Sequence, residues 1–279
     1  MSLKLLSSQA ALCNMVRRIA VEAGELILEY ADGIKDMQAS AKDDGSPVTL
    51  ADQEAERLIE ARLLNILPDI PVVGEESFSS GMRINFSSHE YFWLVDPLDG
   101  TKAFIAGESE FTVNIGLIYK GDPVLGVIYA PEKGELYSGY CGADTKASRY
   151  FEDSDTEKDM RARSMPKHGL TVMSSNYHGG SVKQDNFLEQ FKVNKIVRKS
   201  SSLKICALAN GRADLYLRFG PTCEWDTAAG HAILRAAGGD IRDMDGNSLK
   251  YGGAHTDLLN PDFIAASGDV FDSGAFSSS

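Results

Sequence analysis

The sequence lacks the features that mark several whole classes of protein. Its four cysteines, Cys13, Cys141, Cys206 and Cys223, form no C-x-x-C pair and no metal-ligand spacing. In a chain of 279 residues they read as reduced thiols, which excludes a disulfide framework and makes the cytoplasm the expected compartment. No run of 18 apolar residues occurs, and no basic start leads into an apolar segment. Neither a transmembrane helix nor a signal peptide is therefore expected. His89, His168, His178, His231 and His255 are scattered and form no H-x-x-x-H pair. There is no G-x-x-x-x-G-K-[ST] and no convincing G-x-G-x-x-G, which disfavours a kinase or a dinucleotide enzyme. Basic residues are also scarce, with 28 Lys plus Arg against 40 Asp plus Glu and a net charge of −12. That balance argues against polymeric nucleic acid, or an anionic membrane, held on a broad basic surface. An anionic small molecule stays possible if something reverses the sign locally.

What is present is ordinary globular material: 43% hydrophobic and 24% charged residues, enough for a sizeable core. The length suggests one large domain or two closely packed lobes, divided here as 1–150 and 151–279. Apolar residues from Ser8 to Tyr30 recur with a period of about 3.6 residues and predict a helix, with Gly33 as its stop. Lys35–Val48 reads as a mobile loop or short hairpin. A second helix is expected after Thr49, running to about Ile66. Strand character follows in Val72-Val73, Tyr91–Val95, Phe111–Tyr119, Val124–Tyr129 and Leu136–Tyr140, as in an antiparallel meander. The charged stretch Phe151–Arg163 reads as a surface connection. Beyond it, strands at Leu170–Met173, Ile196–Arg198, Ala213–Phe219 and Phe263–Ala266 alternate with helices near Gln184–Phe191, Ser202–Ala209 and Thr227–Ala237. Gly238-Gly239 supplies a helix stop, and the Ser-rich last residues read as frayed. The pattern is α+β in the first half and α/β in the second.

Four acidic motifs carry the chemistry. Trp93-Leu94-Val95-Asp96-Pro97-Leu98-Asp99-Gly100-Thr101 is a hydrophobic strand ending in two carboxylates around a proline. It suits a tight turn, and equally a hard-cation site built from Asp96, Asp99 and the Leu98 carbonyl. Two carboxylates 4 Å apart repel by roughly 4 kcal/mol at an effective dielectric of about 20, a penalty that a bound cation would relieve. Gly74-Glu75-Glu76-Ser77 follows a short strand and reads as a solvated acidic loop or a metal loop. In Glu224-Trp225-Asp226-Thr227, Asp226 opens a helix as an N-cap or a ligand. Thr49-x-x-Asp52 fits a capping pattern.

In combination, Gly74–Ser77, Asp96–Thr101 and Trp225-Asp226-Thr227-Ala228-Ala229 resemble, in that order, the signatures of the Mg²⁺-dependent, lithium-sensitive inositol monophosphatase-like phosphatases. With Thr49 and Asp52 the resemblance spans about residues 10–240. It implies a layered αβαβα sandwich of the sugar-phosphatase type. Asp99-Gly100-Thr101-Lys102-x-Phe104-Ile105, Glu110–Ile115, Ser200–Lys204 and Ala213–Pro221 are similar to the bisphosphate nucleotidase branch of that family. Ala103 departs from it, standing where nucleotidases carry Glu and inositol monophosphatases Asn.

The resemblance implies that Glu75, Asp96 and the Leu98 carbonyl hold one Mg²⁺ and that Asp96, Asp99 and Asp226 hold a second. A third ion is implied near Glu75. Thr101, oriented by Asp52, and Glu75 activate water, while Gly100 and Thr101 bind the phosphate. Ser201, Lys204 and Arg218 hold the remainder of a nucleotide bisphosphate. The implied enzyme is a monomeric phosphomonoesterase that clears adenosine 3′,5′-bisphosphate in sulfur metabolism. An inositol or sugar phosphatase, or a binding protein without turnover, are the competing readings. His178 stands near a strand end and is a weaker candidate at the nucleotide, and Trp93 and Trp225 read as packing anchors.

Overall fold

Alternation within the central strands sets the architecture. The computed structural model describes residues 2–37, 47–176, 182–252 and 257–273. Its first half runs α1 (Ser2–Leu6), α2 (Gln9–Met37), α3 (Pro47–Ile66), β1 (Val72–Gly74), α4 (Glu75–Ser79), β2 (Tyr91–Asp99), α5 (Thr101–Ile105), β3 (Thr112–Tyr119), β4 (Asp122–Ala130), β5 (Glu135–Tyr140), β6 (Lys146–Phe151) and β7 (Thr156–Asp159). The second half runs β8 (Leu170–Ser175), α6 (Val182–Leu188), β9 (Val193–Lys199), α7 (Leu203–Ala209), β10 (Leu215–Arg218), α8 (Glu224–Ala236), β11 (Gly239–Asp243), β12 (Phe263–Ser267) and α9 (Gly268–Asp272). Strands β1 to β7 form one sheet in sequence order, and a five-stranded sheet follows with order β11-β12-β10-β8-β9.

Successive residues on a strand face opposite ways, and both sheets bury both faces. In β2, Trp93 and Val95 join the core made with Leu12, Val16 and Ile27 of α2 and Ile59 and Leu63 of α3. Phe92 and Leu94 face the other way, into the core shared with Ala228, Ala229 and Ile233 of α8. The same alternation recurs in the second sheet. Tyr216, Phe263 and Ala265 meet the α8 layer, whereas Leu215, Leu217, Ile264 and Ala266 pack with Leu188 of α6 and Val270 and Phe271 of α9. The layers are therefore αβαβα. Strands covered on both faces read as continuous apolar runs, as Tyr91–Val95 does.

A stripe of glycines seats the middle helix. Gly116 pairs with Gly126 across β3 and β4, and Gly126 with Gly139 across β4 and β5. A Cβ on any of them would press into the backbone of α8: at Ala229 for Gly116 and Gly126, at Ile233 for Gly139. Side chains are thus absent where the helix axis comes closest. Gly126→Ala is expected to lower unfolding free energy by about 3 kcal/mol, at the upper end of overpacking costs. Urea denaturation checks this.

Several elements differ from the sequence reading, which marks no α1, α4, β6, β11 or α9. Gly33 does not stop α2, which continues to Met37; one glycine costs only about 1 kcal/mol relative to alanine, too little to end a helix with one face buried from Leu12 to Ala31. Helix α3 begins at Pro47, a residue suited to the first helical turn, so Thr49 lies within the helix rather than capping it. Most of the proposed loop, residues 38–46, and His178 and the last six residues lie outside the described residues. Phe151–Arg163 is not simply a surface connection: β7 pairs antiparallel with β6 through Ser148↔Asp159 to Phe151↔Thr156. Its four residues are all exposed. Charge on a sheet edge discourages further pairing, and the same charges concealed the strand.

Candidate active site

The last residues of β2 show how a strand can aim two carboxylates the same way. Residues three apart on a regular strand face opposite sides of the sheet. Here Asp96 pairs with Asn114 and Asp99 with Thr112, so two residues oppose one and the strand bulges at Pro97-Leu98. The bulge brings Asp96 and Asp99 to one face. Gly100 follows with φ 98°, a left-handed turn in which a Cβ would also crowd the Glu110 carbonyl at 2.9 Å. Helix α5 starts immediately after it. The parallel pairing Gly74↔Val95 delivers Glu75 beside Asp96. From the other half of the chain, α8 contributes Asp226. This residue stands inside the first turn and not at the cap: Cys223 is the N-cap, and its N–H donates to Asp226 Oδ2 at 2.8 Å.

Carboxylate oxygens of Glu75, Asp96 and Asp226 lie within 4.8 Å of one another. Burial pushes the Asp96 carboxyl well above the usual carboxylate range, and its charged neighbours Glu75, Asp99, Asp226 and Asp52 push the same way. Burial and then Asp99 raise Glu75 to about 7, and the same two causes raise Asp226. The Trp225 side chain acts in the opposite sense on Glu75 and is itself buried in the core. An all-oxygen donor set whose members repel one another fits a hard divalent cation such as Mg²⁺. Asp52 adds to that field. It is buried, its Oδ1 has no hydrogen-bond partner, and burial followed by Glu75, Glu76 and Glu56 raises it to about 8. The Thr101 hydroxyl donates to the Leu98 carbonyl at 3.2 Å.

Asp99 is held by Ser202 and Asn114, which lie inside the nucleotidase-like motifs but have no role assigned to them there. Its Oδ2 accepts from Ser202 N–H at 2.6 Å, from Ser202 Oγ at 2.7 Å and from Asn114 Nδ2 at 3.2 Å. Asn114 reaches Ser202 Oγ as well, at 2.9 Å. The clamp therefore joins the first sheet to the residue before α7. The register partner of Asp96 is a polar residue inside an apolar strand, and that was the one available signal.

The acidic cluster opens onto a cavity of about 360 Å³ whose walls include Asp99, Gly100, Thr101, Asp226, Ser201, Lys204 and Arg218. That size suits a small-molecule ligand. Glu75 and Leu98 are not on its lining, whereas Lys102, Tyr216 and Phe263 are. Lys204 is buried, and burial pulls its ammonium down to about 8, with Arg218 adding to the effect. Its Nζ donates to the Ser201 carbonyl at 2.5 Å and lies 5.4 Å from the centre of the Tyr216 ring. Arg218 donates to the Pro221 carbonyl at 2.8 Å, while its Nε is buried without a partner. Ser201 adopts φ 52°, a left-handed conformation uncommon outside glycine, in the turn that leads into α7. Ala103 is fully buried and off the cavity lining, so its departure from the nucleotidase pattern leaves the wall unchanged.

Comparisons with known proteins identify related chains. The sequence profile of the inositol monophosphatase family matches residues 9–277. The 3′(2′),5′-bisphosphate nucleotidase CysQ of Escherichia coli K12 is 42% identical over 250 residues, covering 90% of this chain and 97% of that one. CysQ of Haemophilus influenzae is 32% identical, covering 96% and 97%. Among solved structures, CysQ of Bacteroides thetaiotaomicron superposes with a TM-score of 0.76 at 33% identity, over 94% of this chain and 98% of that one.

Proposed function

We propose that this chain, which belongs to the inositol monophosphatase family, is a Mg²⁺-dependent 3′(2′),5′-bisphosphate nucleotidase that hydrolyses adenosine 3′,5′-bisphosphate to AMP and phosphate. The observation that carries the reading is one cavity lined both by the carboxylates Asp99 and Asp226 and by the cations Lys204 and Arg218. A monophosphate held at the carboxylate cluster would bring no second anion to those two cations, whereas a bisphosphate does. The nucleotidase names of the relatives support the same substrate.

Glu75, Asp96 and the Leu98 carbonyl would hold one Mg²⁺, and Asp96, Asp99 and Asp226 a second, with a third near Glu75. When bound, the ions supply Lewis acidity and neutralise the charge that develops on phosphate and leaving oxygen. The chain itself orients the reactants. Glu75 would accept a proton from the attacking water, and the Thr101 hydroxyl, which here donates to the Leu98 carbonyl, would turn to Asp52 and fix that water in line with the leaving ribose oxygen. The first amides of α5 have no acceptor within the helix; Gly100 and Thr101 thus offer N–H groups to the phosphate oxygens. Ser201, Lys204 and Arg218 hold the 5′-phosphate. The reading places the enzyme in the cytoplasm as a monomer that clears the by-product of sulfuryl transfer, and the free thiols of all four cysteines suit that compartment.

Phosphate release from adenosine 3′,5′-bisphosphate, inositol 1-phosphate and fructose 1,6-bisphosphate, with Mg²⁺ and then with added Li⁺, tests the assignment. The nucleotide is expected to be preferred and Li⁺ to inhibit; a preference for inositol phosphate would overturn the proposal. Lys204→Met is expected to raise KM for the bisphosphate by roughly 10–100-fold, the worth of one or two charge-assisted hydrogen bonds. Turnover on inositol 1-phosphate should stay within about threefold of wild type.

A further inference from the structure

Helix α3 presents a second acidic residue one turn beyond Asp52. Glu56 is buried, 5% exposed, and neither of its oxygens faces the cavity. Oε2 accepts the N–H of Glu76 at 2.7 Å and Oε1 accepts the N–H of Ser77 at 2.7 Å. Those two amides immediately follow Glu75. On the other side of Glu75, Ser77 Oγ bonds the Gly74 carbonyl and receives the Gly74 N–H, both at 3.2 Å. The backbone around Glu75 is therefore tied down on both flanks. Gly74 has to be glycine for this to happen, since a Cβ there would overlap the Glu56 carboxylate.

We infer that Glu56 is a positioning residue for the metal ligand Glu75, acting through the Glu76 and Ser77 amides, with Gly74 as the gap that admits its carboxylate. The inference rests on the reading of Glu75 as a Mg²⁺ ligand. Glu56 spends one lone pair of each oxygen on these amides and is not among the carboxylates, Glu75, Asp96 and Asp226, whose oxygens gather within 4.8 Å of one another. What it can do is fix the direction in which Glu75 leaves the chain. Side chains that orient ligands typically matter by 10–100-fold in metal affinity or activity. A merely structural Glu56 would instead lower stability and leave the affinity of the folded protein unchanged, which gives the test its contrast.

Calorimetric titration of Mg²⁺ into chelator-treated protein, paired with thermal unfolding in chelator, separates the two. Glu56→Gln keeps the shape but sets an amide donor against one of the N–H groups. It is expected to weaken Mg²⁺ binding by roughly 10–100-fold while kcat at saturating Mg²⁺ recovers to within about fivefold. Gly74→Ala should reproduce the defect from the opposite side. The double variant should be little worse than either alone, because both remove one contact. Wild-type Mg²⁺ affinity in a folded Glu56→Gln or Gly74→Ala variant overturns the inference, as does full additivity in the double variant. If Glu56→Gln does not fold, Gly74→Ala carries the test. A wild-type protein that takes up no Mg²⁺ would instead refute the metal-site reading itself.

Discussion

Asp99→Asn is expected to lower Mg²⁺-dependent phosphate release by at least about 10³-fold without unfolding the protein. The clamp around Asp99 makes the variant informative. Ser202 N–H, Ser202 Oγ and Asn114 Nδ2 all converge on Oδ2, and the carbonyl oxygen of an asparagine can take that place. Its NH₂ then occupies the position of Oδ1, the atom left for a cation. A donor replaces a ligand while the contact between the two sheets survives. Asp99 also raises the carboxyls of Glu75 and Asp226, so removing its charge relieves repulsion in the metal-free protein. The unfolding midpoint in chelator should therefore be unchanged or higher. Assay of kcat alongside the midpoint checks both halves. Near-wild-type turnover would contradict the assignment of Asp99 to the metal site, and a collapsed midpoint would contradict the clamp.

The acidic motifs were legible because hard-cation chemistry demands several oxygen donors, and Glu75, Asp96, Asp99 and Asp226 stand beside strand ends and a helix start that local patterning already marks. Their supports were not legible. Ser202 reaches Asp99 across 103 positions of sequence, and in isolation it looks like any serine ahead of a helix. Glu56 sits on the same helix as Asp52, but no motif singles it out. The bulge that turns Asp96 and Asp99 to one side depends on pairing with Asn114 and Thr112, a register that no single strand encodes. The fold divides in the same way. Strands buried on both faces announce themselves through apolar content, whereas β7 is all charge and polarity and gave no signal. The glycine stripe under α8 becomes meaningful only once three strands are in register.

The net charge of −12 argues for a final expected result, that stability without metal falls as pH rises and that Mg²⁺ reverses the trend. Burial lifts Asp52 to about 8 and Glu75 to about 7 in the folded protein, and lifts Asp96 and Asp226 as well. In the unfolded chain the same groups titrate near 4. Between about pH 4 and pH 8 the folded state therefore holds protons that the unfolded state has released. Stability rises with pH only where the unfolded state binds more protons; here the sign is opposite. The metal-free midpoint is expected to drop by roughly 5–10 °C from about pH 5.5 to 8, the effect of a few kcal/mol on a chain of this size. Mg²⁺ requires the deprotonated carboxylates, so its binding releases protons and strengthens with pH. With saturating Mg²⁺ the decline should flatten or invert. Melting curves across that range with chelator or Mg²⁺, together with proton release measured in weakly buffered solution, check the coupling. A metal-free midpoint that rises toward pH 8 would show that these carboxylates are already ionised. On the proposed reading, a protein this acidic would attract a phosphate at its carboxylate cluster only after a cation has bound there, and the same linkage would make metal loading the step that pH controls.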